Sequence, residues 1–310
     1  MSASQVQVLE SGILSTVQDL GRFGGRGLGF SVCGALEGDH LRLANAAVGN
    51  PRLGNTAEAA ALELSGGPVR LELTQSTWAC WFGVGACSLE SGKPERITRF
   101  ETRGRGLLAL AGGIAVKLVQ GSRSTDVRAG FGGFVGRALR RGDLLPLGDS
   151  QSALEPRLPR WRVPPFLLEG PVRVVRGPEW PHLNVASQRA LEGGRFRVSV
   201  QSNRMGLRLE GRVLELKVPL ELRSGPVLPG TVQLPPSGQL TVLLQDAGTV
   251  GGYPRVLTIA AVDLPRLAVL APGTPLWFRV ISSDEARRLF LERERQIQTL
   301  IHSIAQRRIG

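Results

Sequence analysis

The sequence is short of the side chains that most often carry chemistry: its 310 residues include only 3 cysteines and 3 histidines. Cys33, Cys80 and Cys87 form an odd set with no Cys-x-x-Cys spacing, which excludes a disulfide framework and a four-ligand zinc site as organising devices. His40, His182 and His302 have no second histidine or cysteine at ligand spacing, and surface or helix positions explain them without catalysis. There is no Gly-x-Ser-x-Gly elbow, no Gly-x-x-x-x-Gly-Lys-Ser/Thr phosphate loop and no His-Glu-x-x-His pair. A self-contained hydrolase or a metalloenzyme is therefore not expected. A run of about 18 apolar residues, the length that spans a bilayer, occurs nowhere. Met1 to Ser15 lacks the basic and then apolar pattern that directs export. The expected setting is the cytoplasm, with no membrane partner.

Lysine is as scarce as cysteine. Lys93, Lys117 and Lys217 are the only three, so 38 − 3 leaves 35 arginines behind a formal charge of +12. A nucleic-acid surface would cluster such cations among aromatic side chains, but aromatics make up only 5% and the arginines are scattered. The basicity is read as attraction for anionic ligands or an acidic partner, not for nucleic acid.

What the chain has in quantity is glycine and proline, 40 and 20 residues spread without a period through a sequence that is 42% hydrophobic. That pattern fits many short strands joined by turns, a mainly β class. Val6–Leu9 reads as a strand. Between Ala59 and Val84, the segments Ala-Leu-Glu-Leu, Val69-Arg-Leu-Glu-Leu and Thr77–Val84 alternate with period two, as three successive antiparallel strands would. Leu107–Ile114 and Asp143–Leu147 extend the pattern. Gly148–Pro165, rich in Pro and Arg, reads as a linker. In the second half Val172–Val175, Phe196–Val200, Val213–Leu216, Leu240–Leu244, Leu257–Ala261 and Leu276–Ile281 read as strands. Two helices stand out. Gly38–Val48 carries Leu41, Ala44, Ala47 and Val48 at helical spacing and stops at Gly49-Asn50-Pro51. Asp284 to Arg308, capped by Ser283, has acidic residues at its start, arginines at its end and an apolar stripe of Leu289, Ile297, Leu300, Ile301 and Ile304. The expected domains are a β domain over 1–160, a second over 161–283 and a terminal helix over 284–310.

Four glycine-flanked polar loops punctuate this framework: Gln18–Arg26, Gly121–Asp126, Gln201–Gly206 and Asp246–Pro254. Glycine lets backbone amides approach a ligand, and arginine offers a planar fork to carboxylate or phosphate. Each loop taken singly is also explained as a tight turn whose polar side chains serve the local backbone. Four together favour a site for a small polar ligand. Cys33 could act as a nucleophile only with a histidine partner, and the sequence around it offers none.

At these residues a family resemblance emerges. Thr16-Val-Gln-Asp-Leu-Gly-Arg22, Leu41-Arg-Leu-Ala-Asn-Ala-Ala-Val-Gly-Asn50, Gly121-Ser-Arg-Ser-Thr125, Gly130-Phe-Gly-Gly133, Asn203-Arg-Met-Gly206, Gly251-Gly-Tyr-Pro254 and Ala261-Val-Asp-Leu-Pro-Arg-Leu267 follow one another as signature blocks. They resemble the family of the second allophanate hydrolase subunit, the urea amidolyase carboxyltransferase domain, the Kip-inhibitor antagonist and the C subunit of 5-oxoprolinase, from residue 6 to residue 282. The resemblance implies a mainly β fold of two cyclophilin-like β-barrel-type domains with a few short helices and a C-terminal helix, and a ligand cleft between the domains. No biotin-accepting Met-Lys-Met, ATP-grasp or amidase region accompanies it. The implied role is thus one subunit, inactive alone, of an ATP-dependent 5-oxoprolinase that opens 5-oxo-L-proline to L-glutamate. Its implied partners are the Kip-inhibitor-like (B) and lactam-utilisation-type (A) subunits of 5-oxoprolinase, with ATP bound in the complex.

Under that resemblance the catalytic residues are Asn203, Arg204 and Tyr253, with Arg204, Asn203 or backbone amides near Gly251 polarising the lactam carbonyl. The substrate-binding residues are Gln18, Asp19, Arg22, Arg123, Ser124, Thr125, Gly251 and Gly252, with Arg22 and Arg123 available to phosphate. No metal is expected. Two other roles stay open: a carboxyltransferase subunit moving carboxyl from carboxybiotin to urea or a related amide, which alone would call on biotin, and a non-catalytic regulator binding a Kip-type kinase inhibitor. Cys33 in place of Ser, Glu37 in place of Asp and Ala247-Gly248 in place of an Arg-Gln-like pair depart from the family pattern.

Overall fold

The computed structural model describes residues 4–50, 59–84, 89–90, 95–103, 105–149 and 170–309. The chain divides into two compact units: Met1–Gly24, Cys33–Phe166 and Gln296–Gly310 make the first, Gly25–Val32 and Leu167–Arg295 the second.

The first unit is built from β1 (Gln5–Ser11), β2 (Ser15–Gln18), β3 (Ala61–Ser65), β4 (Val69–Val84), β5 (Leu89–Glu90), β6 (Glu95–Thr102), β7 (Arg105–Leu110) and β8 (Leu144–Pro146). The sheet runs in the order β2-β3-β7-β4-β1-β8, with β5 and β6 also on β4. Strands β1 and β2 are separated by only three residues yet lie far apart in this order. Their connection turns at Gly12, whose φ of +67° and 2.5 Å Cβ approach to the Gly66 carbonyl only glycine tolerates. The outer edge of β2 is not left bare: Thr125 and Leu139 donate their amides to the carbonyls of Val17 and Ser15 at 2.9 and 2.8 Å. The same stretch then enters β8 beside β1, so the sheet curls until both edges are covered.

Strand β4 corrects one expectation. Val69–Leu73 and Thr77–Val84 are not two strands but one of 16 residues. Strand β6 stays paired to both halves, and a register shift between Glu72 and Thr77 absorbs the polar Thr74-Gln75-Ser76 without a turn. Strand β7 explains its own unbroken apolar run, because both of its faces are buried. Leu108 and Leu110 join Val6, Val8, Val17, Leu62, Leu64, Leu71 and Leu145 in one core. Leu107 and Ala109 join a second core formed with the first helix, α1 (Gly38–Val48), through Leu41, Leu43, Ala44, Ala47 and Val48. Helix α1 has the bounds the sequence predicts and ends at Gly49, φ 80°, in the left-handed conformation.

The second unit holds β9 (Val172–Arg176), α2 (Val185–Gly193), β10 (Phe196–Val198), β11 (Gly206–Glu210), β12 (Gly225–Pro226), β13 (Thr231–Gln233), β14 (Thr241–Leu243), β15 (Val250–Gly251), β16 (Arg255–Ile259), α3 (Leu264–Ala268), β17 (Pro275–Leu276) and β18 (Phe278–Val280). Its main sheet runs β17-β10-β11-β14-β13-β16-β9-β18, and β12 pairs β15 apart from it. Strands β17 and β18 sit at opposite ends of that order although only Trp277 separates them. A sheet whose two edges are zipped by one continuous segment is closed, and a near-barrel results. The seam is β18 on β9, the parallel pair in an otherwise antiparallel sheet.

The class is therefore mainly β with strongly curled sheets and few helices, as expected. Several details differ. Gln18–Arg26 is not wholly irregular: Gln18 ends β2 and Phe23–Leu28 forms a 3-10 helix. Val213–Leu216 makes only an isolated bridge from Leu216 to Leu183, because the amides of Leu214 and Lys217 bond the carbonyls of Gly238 and His182 outside any strand. The final helix, α4 (Ser283–Ile309), is capped one residue earlier than expected, Ser282 Oγ accepting from the Glu285 amide at 3.1 Å. Its Ile297 and Ile304 are buried in the α1 core, with Leu300 and Ile301 packed against them. All but the first two residues of the stretch read as a linker, Gly148–Pro165, lie outside the described residues.

Candidate functional site

The residues singled out by sequence fall into two groups, one in each unit. In the first, β2 delivers Gln18 and Asp19 into the interior, against the loop that follows Val119. Asp19 is 2% exposed and its carboxylate is saturated. Oδ1 accepts from the Gly21 amide at 2.8 Å and from Ser122 Oγ and Ser124 Oγ at 2.6 Å each, while Oδ2 accepts from the Arg123 amide at 2.5 Å. The Asp19 amide returns a bond to Ser124 Oγ at 2.9 Å. Gln18 Nε2 donates to Thr16 Oγ1 at 3.0 Å and to the Thr125 carbonyl at 3.3 Å, and its Oε1 accepts from the Gly34 amide. Thr125 Oγ1 donates to the Val17 carbonyl. Arg123 sends its Nε to the Val116 carbonyl at 3.0 Å.

Arg22 completes this group. It is 1% exposed, donates to the carbonyls of Ser124 and Val119, and lies over the Phe131 ring at 4.8 Å. Its Nη1 has no partner. The Gly130-Phe-Gly-Gly133 block is the cover: a Cβ on Gly132 would sit 2.7 Å from Arg22 Nη2, and one on Gly133 would sit 1.9 Å from Thr125 Oγ1. Glycine is required there because backbone packs directly onto the network.

The second unit brings Arg204 and Asp246 together as a buried fork, Nε to Oδ2 and Nη2 to Oδ1, both 2.9 Å, with the Asp246 amide donating to the Arg204 carbonyl. Asn203, exposed just before it, accepts the Met205 amide on Oδ1 at 2.8 Å and shapes the turn into β11. The loop that begins at Asp246 continues through β15, where Gly251 faces Gly225, to Gly252 and Tyr253. Tyr253 is 48% exposed and, with Gly252 and Pro254, lines a hollow of ≈ 780 Å³ walled by Leu214–Leu222 and Leu234–Pro236. Most of that wall is apolar, with Glu215, Lys217 and Glu221 at hand, the composition of a small-molecule pocket. Arg255, just beyond, forks onto Glu179 through Nε at 3.0 Å and Nη2 at 2.8 Å. Burial alone would raise the Glu179 pKa, but the hydrogen bonds and charge of Arg255 outweigh it and hold the group below its ordinary value.

Three features escaped the sequence reading. His40 and Glu37 form a buried pair, Nδ1 to Oε1 at 2.8 Å, with the His40 ring stacked on Phe82. Helical spacing of three was the only available signal, and many exposed pairs share it. Gln233 ends β13 nearly buried at 6%, and Arg26, in the 3-10 helix, donates to the Val227 carbonyl. No local motif could have joined Arg26 to a carbonyl 201 residues later. Among the described residues no group of three or more His, Cys, Asp or Glu could hold a metal ion. No helix among them is long and apolar enough to cross a membrane.

With this geometry in hand, likeness to known proteins is informative. The family described as carboxyltransferase domain, subdomain A and B, matches residues 28–280. The chain is 37% identical to the C subunit of 5-oxoprolinase from Escherichia coli strain K12, covering 95% of this chain and 97% of that protein. It is 32% identical to the C subunit of 5-oxoprolinase from Haemophilus influenzae, covering 92% and 94%. The solved structure of the K. lactis urea amidolyase superposes on 97% of this chain with a TM-score of 0.82 at 23% identity, the match taking up 20% of that much longer chain.

Proposed function

The chain belongs to the carboxyltransferase domain family with subdomains A and B, and from that premise we propose that it works as one subunit of an ATP-dependent 5-oxoprolinase, opening 5-oxo-L-proline to L-glutamate with partner subunits. The observation that carries this reading is the 37% identity to the 5-oxoprolinase C subunit, sustained over 95% of this chain and 97% of the relative. A match that runs end to end transfers the role of a whole subunit, not of a shared module. The partners are the Kip-inhibitor-like (B) and lactam-utilisation-type (A) subunits, in the cytoplasm, and ATP enters through the complex.

In the second unit, Arg204 acts by holding Asp246, which ties the Asn203 turn to the loop ending at Tyr253. Gly251 and Gly252 bring backbone close to the substrate, and the Tyr253 phenol stands exposed on the wall of the hollow as a hydrogen-bond donor. Asn203 supplies a further exposed amide. Donors placed where charge develops on the lactam carbonyl oxygen would lower the barrier to its attack. In the first unit Gln18, Asp19, Ser124 and Thr125 tie together the two loops that carry Arg22 and Arg123, the cations proposed for an anionic group.

The test is glutamate release from 5-oxoproline and ATP by this chain alone and then with its two partner subunits. Activity confined to the mixture is the expected result. Demonstrably associated subunits that release no glutamate would replace this reading with carboxyl transfer from carboxybiotin or with a non-catalytic regulatory role.

A further inference from the structure

Arg26 and Gln233 both lie close to Val227 in the second unit, and neither is among the residues assigned to the site from the sequence. Arg26 Nη2 donates to the Val227 carbonyl, while its Nη1 is buried and unpartnered. Among the described residues no carboxylate stands within ion-pair reach of it, although many other arginines have theirs, among them Arg137 with Asp143, Arg173 with Asp263, Arg204 with Asp246 and Arg255 with Glu179. Gln233 is 6% exposed and its Nε2 is likewise buried without a partner. Gly251 places the Gln233 amide near Val227, the residue whose carbonyl Arg26 holds. A Cβ built there would lie 3.3 Å from Val227 Cγ1 and 2.4 Å from Gln233 Nε2, so glycine alone leaves that amide unobstructed.

We propose that the unpartnered N–H donors of Arg26 and Gln233 form a site for a small oxyanion, a carboxylate or a phosphate, seated beside the Gly251–Gly252 backbone. The argument is one of unmet demand. A buried amide N–H and a half-buried guanidinium N–H both need acceptors, and water could serve the amide but would not neutralise the cation. An oxyanion does both, since each of its oxygens accepts and its charge matches the planar fork. Desolvation holds the Arg26 pKa below its ordinary value, the direction expected of a cation whose counter-ion is missing. Tyr253 and Gly252, which follow Gly251 directly, line the ≈ 780 Å³ hollow, so a ligand held here would keep its remaining atoms within reach of that space. Resting on the reading given above, the carboxylate of 5-oxoproline is the first candidate occupant.

The experiment titrates the full chain, alone and with its partner subunits, with 5-oxo-L-proline, with 2-pyrrolidinone, which keeps the lactam but has no carboxylate, and with inorganic phosphate. The variants are Gln233→Glu, which turns donor into anion, Arg26→Leu, and Gly251→Ala, which displaces the Gln233 amide without changing its chemistry. At least tenfold weaker 5-oxoproline binding in each folded variant, with 2-pyrrolidinone unmoved, assigns the site to the carboxylate. The same loss confined to phosphate assigns it to a phosphoryl group and supports the oxyanion site equally. Wild-type affinity for both anions in two folded variants, or no binding of either anion by the wild-type chain or its complex, overturns the proposal. A wild-type complex that releases no glutamate yet binds an anion through Gln233 would remove the 5-oxoprolinase reading and leave this site standing.

Discussion

The Asp19 network of the first unit and the Arg26 and Gln233 donors of the second treat their buried polar groups in opposite ways. In the first, Asp19 gathers four donors onto one carboxylate, and Gln18, Ser122, Ser124 and Thr125 each close a bond within the same network. In the second, Arg26 and Gln233 present donors for which the protein supplies no acceptor. A saturated network resists change, because removing any member orphans the others. An unsaturated cluster invites something from outside to complete it. The difference separates what holds the fold from what meets a ligand, and it cuts across the set of residues that sequence motifs single out, most of which hold the fold.

The contrast can be broken at Asp19 first. Asp19→Ala strands two hydroxyls and two amides in a region closed to water, and at about 1–3 kcal/mol for each orphaned group the first unit should lose about 3–5 kcal/mol or more. Chemical denaturation of the variant measures this, and a loss under about 1 kcal/mol would mean that the network is not structural. Arg204→Ala comes next. It leaves the Asp246 carboxylate buried and unpaired, costing about 3–5 kcal/mol, and the Arg204→Ala/Asp246→Ala double variant should recover a measurable part of that loss. Strict additivity in the double-mutant cycle would show that the fork carries no coupling. Third, Gly133→Ala forces a Cβ at φ +51° to within 1.9 Å of Thr125 Oγ1, so the cover of the network should shift and thermal stability should fall. By contrast Gly142→Ala, at φ +93° in open space, should cost only the backbone strain of that conformation.

Acid pH sharpens the comparison more gently. Asp143 is held below its ordinary value of 3.8 by its hydrogen bonds to Arg137, and Glu179 below 4.5 because Arg255 outweighs its burial. Each folded pKa is lower than the unfolded one, so the stabilisation is complete above the unfolded value and is lost as pH falls through the folded value. Unfolding free energy should therefore be flat in this contribution down to about pH 5 and decline below it, with the decline reduced in Glu179→Gln. The smallest effect is expected at the surface. Arg70→Ala, which removes the exposed pair with Glu10, should change stability by less than about 1 kcal/mol.

Much of the fold was legible because its signals are local. Helix α1 announces its end at Gly49, and β7 shows its double burial in a run of apolar residues. Where the reading slipped, a distant partner decided. The Thr74-Gln75-Ser76 stretch reads as a turn until β6 is seen to bridge it, and Val213–Leu216 reads as a strand until its amides are seen to be engaged elsewhere. The candidate site followed the same rule. Gln18, Asp19, Ser124 and Thr125 were visible as polar residues among glycines, and so were Arg204 and Gly251. That Asp19 is saturated, that Arg204 is committed to Asp246 and that Arg26 lies against Val227 could not be read along the chain.

The sequence by itself determined the mainly β class, both principal helices, the polar loops and, through its signature blocks, the family. Each of these depends on residue type and on neighbours within a few positions, where periodicity and turn chemistry operate. Only the tertiary structure decided that β17 and β18 close a barrel from its two ends, which buried charges find partners and which donors go without. Those outcomes depend on hydrogen bonds and charge pairs formed between segments as far apart as residues 26 and 227, whose energies turn on ångström distances that spacing along the chain does not encode.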